Sequence, residues 1–431
     1  MINRSIMLVL VCSYLLLTGC DDSLSSPNNN ASDLSQVYTY KNQILAPPLR
    51  DPASCVNYSR SCSIEELPFI AMSYPETKIQ QVMLRVVVSH DWMGERFATL
   101  LTLLPDEVLT LLGSVTAIVI ADNIRPSFYW TGSGAIYLDP ASLWLTNDEK
   151  LTIDKTEDYR EDFSNGLSYD FFHRFVKDNK PAYNNYSLSN NQERSIDDII
   201  IPMASLLFHE LAHANDFMPL SVMSSLDISK TALSSINSVA SEQLNTQLQR
   251  TYPINDERLK THASILYRGQ QATEKEILTG SSELGTLFEL EGANHLYAYS
   301  HQAEDVAMLF QATMLSYYFD IKMDSAFVIQ PATDSKYCAD FIVGWGQRDR
   351  IADPISKPRA QFVSQQLLPS IQFSTFFDQL SPPQLFPPLS NWCNISLSQV
   401  TTINTQTRSA AIAPLEILKK DHHHGVLTAF K

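Results

Sequence analysis

Met203, Leu207, Leu211, Ala214 and Met218 recur at spacings of four, four, three and four, the stripe of a helix with one apolar face. Pro202 suits the first turn of such a helix and Pro219 would stop it. A second and broader apolar face runs through Ala303, Val306, Ala307, Leu309, Phe310, Met314, Leu315 and Tyr318, predicting a helix over 303–319. Glu304 and Asp305 fall in its first turn, where acids complement the helix dipole. The Leu-rich stretch from Phe97 to Leu112 and the stretch Asp170 to Asp178 are read as further helices. Ile79 to His90, with Val82, Leu84, Val86, Val87 and Val88, is read as a strand. Val115 to Ile120 is read as a buried strand, and a glycine-fed run over 134–138 as a third that Pro140 ends. Residues 147–194 carry no clean period. Residues 221–280 are polar with helical pieces, and from Gln330 onward prolines and aromatics dominate with few clear helices. There is no internal repeat. The pattern predicts an α+β fold, mainly helical, with a small sheet.

The first residues do not belong to that fold. Arg4 precedes an apolar run from Ile6 to Leu17, too short for a comfortable membrane span. It ends in Leu17-Thr18-Gly19-Cys20, which resembles a bacterial lipobox. The resemblance implies cleavage after Gly19 and a lipid on Cys20, hence a protein anchored to a bilayer in the bacterial envelope, on the periplasmic side. Asp21 is similar to the inner-membrane retention signal of enteric lipoproteins. The expected organisation is a signal peptide over 1–19, a lipidated Cys and flexible tether over 20–45, a main folded domain over 46–330, and a C-terminal extension over 331–431 packed on it. Net charge is −16; removing residues 1–19, which hold one Arg and no acid, takes it to −17 and argues against nucleic acid as a partner. Four cysteines remain after Cys12 and Cys20 are set aside, and an even number in an exported chain reads as disulfides. Cys55–Cys62 and Cys338–Cys393 are the favoured pairs of the three possible pairings.

The chemistry sits on the first of the apolar helices, at His209-Glu210-Leu211-Ala212-His213. Histidines four apart on a helix point the same way and can hold one Zn²⁺, with Glu210 beside the metal to handle the proton of a bound water. A catalytic zinc needs a third protein ligand. The metzincin pattern wants Gly and His where this chain has Asp216 and Pro219, which excludes that class. The segment Tyr299-Ser300-His301-Gln302-Ala303-Glu304-Asp305-Val306-Ala307 resembles the third-ligand helix of gluzincin-type zinc metallopeptidases, with Glu304 in the ligand place, 91 residues after His213. Glu283, Glu289, Glu291, His295, His301 and Asp216 remain alternatives.

The resemblance implies a zincin-like fold with a small twisted sheet next to the active-site helix, the run 134–138 forming the edge against which substrate lies. It implies one Zn²⁺ held by His209, His213 and Glu304, and a hydrolase in which Glu210 is the general base for a zinc-activated water. Where gluzincins place an orienting Asp four residues after the ligand Glu, this chain has Met308, so Asp305 or Asp216 would have to orient a ligand. Tyr297, Tyr299, His295 and His301 are the candidates for stabilising an oxyanion. The expected substrate is a protein or peptide of the envelope; the alternatives are an amidase or peptidase acting on cell-wall peptides, and a non-catalytic zincin-like binding lipoprotein. The run His422-His423-His424 reads as a solvated tail, because consecutive residues of a regular element cannot converge on one ion.

Overall fold

The computed structural model describes residues 33–395 and 425–427, apart from 43–44, 58–60, 75, 157, 161–162, 164–165 and 332–339. The expectations for the signal peptide, Cys20 and the Asp22 to Gln36 tether therefore fall wholly or mainly outside the described residues. These residues belong to one compact unit of mixed α+β structure.

Two sheets flank the long helices. The first has the order β1-β2-β3-β5-β4-β11, from β1 (Tyr38–Thr39), β2 (Val86–Val88), β3 (Ile118–Ile120), β4 (Phe128–Trp130), β5 (Ala135–Leu138) and β11 (Gly425–Leu427). Its centre is parallel, with β2, β3 and β5 side by side, and those strands are buried along their whole length. The sequence supplies this directly, since Val86-Val87-Val88 and Ile118-Val119-Ile120 are unbroken β-branched runs of the kind that both faces of a covered sheet select. The second sheet is antiparallel, in the order β10-β9-β8-β6-β7, from β6 (Tyr169–Lys177), β7 (Lys180–Pro181), β8 (Lys322–Ile329), β9 (Ile342–Arg348) and β10 (Gln384–Leu385).

Between them run the helices Asp197–Phe217 and Gln302–Phe319, packed on each other. The first starts earlier than its sequence suggests. Asp198 accepts from the Ser195 N–H and hydroxyl, fixing a start at Asp197, and Pro202 is inside the helix. It ends at Phe217, just before Pro219. From Met203 to Phe217 every residue is buried, so the apolar stripe marks one of several buried faces rather than a boundary with water.

Four other expectations need correction. The Ile79 to His90 stretch is a short helix, Ile79–Met83, then β2; the buried Arg85 sits at the break, donating to the Pro68 carbonyl and the Ser73 hydroxyl. The Phe97 to Leu112 stretch is two helices, Asp91–Leu101 and Glu107–Leu111, interrupted at Pro105. Asp170 to Asp178 is strand β6, not a helix. Phe171 packs on Phe288 and Phe327 while its neighbour Phe172 packs on Phe341 and Trp392, so both faces are apolar and the alternation of a half-buried strand is missing. Finally, β5 lies between β3 and β4 and is not an edge. It is the inner arm of a hairpin whose outer arm is β4.

Cys55 and Cys62 form a disulfide. Cys393 is disulfide-bonded as well, and the Cys338 end of the expected second pair lies outside the described residues. Among the described residues no helix is long and apolar enough to cross a membrane.

Candidate metal centre

The two long helices bring three donor atoms to one point. His209 and His213, one turn apart on the first helix, present their Nε2 atoms 3.2 Å from each other. Glu304, in the first turn of the second, places Oε2 3.2 Å from both. A tetrahedral ion with bonds of about 2.0–2.1 Å holds neighbouring ligand atoms about 3.3 Å apart, so this equilateral triangle is the base of such a site. All three side chains are buried, the histidines completely. The donor set of two imidazoles and one carboxylate could bind one metal ion. Among the described residues this is the one such cluster of three or more potential ligands.

The electrostatics put His213 and Glu304 in their metal-binding forms. Burial pushes the His213 imidazole down to about 4, against the opposing pull of Glu304, so it is neutral at pH 7. Burial pushes the Glu304 carboxyl up, but the imidazoles, when they carry a proton towards it, outweigh burial and hold the carboxyl well below the usual range. Orientation comes from the second helix again. Gln311, two turns after Glu304, gives its amide N–H to the Ser205 hydroxyl at 2.7 Å and so turns its oxygen to His209 Nδ1, 3.4 Å away. That leaves His209 Nε2 unprotonated towards the triangle.

Glu210 is completely buried, and among the described residues neither of its carboxylate oxygens has a hydrogen-bond partner. The peptide N–H of Tyr129 in β4 lies close enough to favour its charged form without making a full hydrogen bond. Burial first, and the negative charge of Glu304 second, push the Glu210 carboxyl well above its ordinary value; Arg160 pulls the other way. A carboxylate held ready for a proton beside three convergent ligand atoms is the arrangement a general base needs.

The other sequence-derived candidates separate cleanly. Tyr297 is buried against Glu304 and hydrogen-bonds its carboxylate. Tyr299 instead directs its hydroxyl to Glu291, 3.4 Å away. His301 is the N-cap of the Gln302–Phe319 helix, its Nδ1 accepting the Ala303 N–H, and His295 uses Nδ1 to accept the Tyr297 N–H. Asp216 and Asp305 do not orient a ligand. Both oxygens of Asp216 accept from Asn245, and Asp305 forms a buried ion pair with Arg359. Glu283 and Glu289 serve Arg258 and the Trp345 indole.

Two residues at the site carried no sequence signal strong enough to single them out. Gln311 shares a face with Glu304 at a spacing of seven, which a helical wheel of that segment would have shown. Arg160 comes from the unpatterned 147–194 stretch. Its guanidinium is buried, fastened to Asp158 at 2.6 Å, and acts electrostatically on both Glu210 and Tyr297.

No family model, curated protein or solved structure matches this chain.

Proposed function

We propose that this chain is a zinc-dependent metallopeptidase of zincin-like architecture that hydrolyses peptide bonds in the bacterial envelope. The observation that carries the reading is the triangle of His209, His213 and Glu304 donor atoms, 3.2 Å on each side, with the unpartnered Glu210 carboxylate next to it. The two-His, one-Glu donor set suits zinc, which at such a site lowers the pKa of water towards neutrality and polarises a carbonyl.

The chain's own residues divide the rest of the work. Glu210 receives a proton on its carboxylate and returns it to the leaving amine. Gln311 holds His209 in the tautomer that offers Nε2. The Tyr297 hydroxyl, which meets the Glu304 carboxylate, is the donor assigned to the developing negative charge on the substrate carbonyl oxygen, and the buried Arg160 charge favours negative charge nearby. The Cys55–Cys62 disulfide supports an oxidising compartment outside the cytoplasm, in keeping with a lipid anchor at Cys20.

The test is elemental analysis of the chain beginning at Asp21, beside a Glu304→Ala variant. One zinc per chain in the parent and much less in the variant is the expected result. No zinc in a correctly folded parent supplied with the metal would end the proposal.

A further inference from the structure

The outer edge of β4 borders Glu210, and the pairing pattern shows why. Ile136 in β5 donates its N–H to Ala117 at 3.2 Å, towards β3. A strand residue's N–H and C=O point to the same side, so the Tyr129–Ile136 pair exchanges no hydrogen bonds and the N–H and C=O of Tyr129 face away from β5. Two groups lie on that outer side. One is the Glu210 carboxylate, beside the Tyr129 N–H. The other is β11, which runs parallel to β4 with Gly425 opposite Phe128, Val426 opposite Tyr129 and Leu427 opposite Trp130. β11 also runs against the Gln302–Phe319 helix that carries Glu304.

We propose that residues 425–427 are a built-in blocking strand: the chain's own C-terminal segment occupies the β4 edge beside Glu210, where an extended peptide substrate would lie. The role as a block rests on the peptidase reading given above; the placement on β4 does not.

The physics favours a displaceable occupant. An open strand edge next to a catalytic group offers unpaired N–H and C=O groups to any extended chain, and pairing through backbone groups tolerates many side-chain sequences. A segment joined to the same molecule competes at an effective concentration on the order of millimolar, so a free peptide at micromolar concentration loses to it. Glu210 has no exposed surface in this arrangement, so a substrate can reach it only when something covering it moves away. The strand is three residues long, short enough that a longer extended peptide, pairing over more of the edge, can replace it.

The experiment compares three chains, each beginning at Asp21: the intact C-terminus, a truncation after Lys420, and the intact length with Leu427→Pro, which removes the ladder N–H that faces the Tyr129 carbonyl and leaves the rest. Amide hydrogen exchange at Phe128–Trp130, zinc content and cleavage of unfolded casein are measured on each. The expected result is exchange at Tyr129 at least about tenfold faster in both altered chains, unchanged zinc, and casein cleavage faster by a similar factor. A synthetic peptide covering 421–431 should reverse both effects in the truncated chain. Equal exchange at Tyr129 in all three chains would overturn the placement, whatever the activities. Faster exchange with casein cleavage unchanged from the intact rate would overturn the blocking role. Faster exchange with no cleavage by any chain would support the strand's place and sink the peptidase reading instead.

Discussion

Glu210 and Gln311 act on the same three donor atoms in different ways, and substitution should separate them. Glu210 contributes no ligand atom, so Glu210→Gln should keep the metal while turnover of casein falls by about 10²–10⁴-fold, the range for losing a general base. Zinc content and initial rates measured on the same preparation check this; undiminished activity would remove Glu210 from the mechanism. Gln311 holds His209 and touches neither metal nor substrate. Gln311→Ala should weaken zinc binding by about 10–100-fold, read by competition with a chelating dye, and lower activity only as far as occupancy falls at limiting zinc. At this scale the sequence was most legible where the chemistry is local. His209, Glu210 and His213 lie within one helical turn, so their convergence follows from helix geometry. Glu304 was reachable through the pattern around it. Gln311 carries no such pattern: the orienting position of the family that the chain resembles lies four residues beyond Glu304, at Met308, whereas Gln311 stands at seven. Arg160 reaches the site from a loop, and no period in the sequence carries that information.

The elements around the site are tied by buried polar pairs that sequence patterning does not reveal. Asp305 and Arg359 join the Gln302–Phe319 helix to the Lys357–Leu367 helix, both side chains nearly without exposure. Removing one partner strands the other charge in the core, so Arg359→Ala should cost about 3–5 kcal/mol in denaturant melts. A loss under about 1 kcal/mol would mean that the pair is solvated in solution. Close contact also fixes Gly285, whose added Cβ would lie 2.0 Å from the Trp345 Cβ, where no rotamer change gives relief. Gly285→Ala should destabilise by about 1–3 kcal/mol or more through overpacking. Elements with a single strong period were readable: the Gln302–Phe319 helix begins one residue before its expected start. Strand β6 was not, because its two faces enter different aromatic clusters and both look like core.

For the whole molecule, acid sensitivity follows from groups buried in their neutral form. The His262 ring lies 2.8 Å from the Tyr169 hydroxyl, and burial pushes it from 6.5 down to about 4. Below pH 6.5 the unfolded chain takes up a proton that the folded chain refuses until about pH 4. The contribution of His262 is therefore whole above that upper value and shrinks as the pH falls towards the lower one. His262→Gln should flatten this part of the curve. The difference in melting temperature between parent and variant should be largest near pH 7 and narrow by pH 4.5; a constant difference would assign His262 a packing role alone.

The complete burial of the two histidines and near-complete burial of Glu304 also govern how a bound ion can leave. A chelator cannot touch ligands that have no surface; it can only trap an ion that a fluctuation of the protein has already set free. Release should then be first-order with a rate independent of chelator concentration, set by how often the chain opens. Occupancy would persist through dilution and short dialysis and be lost together with compactness on warming. The metal would behave as a slow cross-link between two helices, and its residence time would report the opening of the fold.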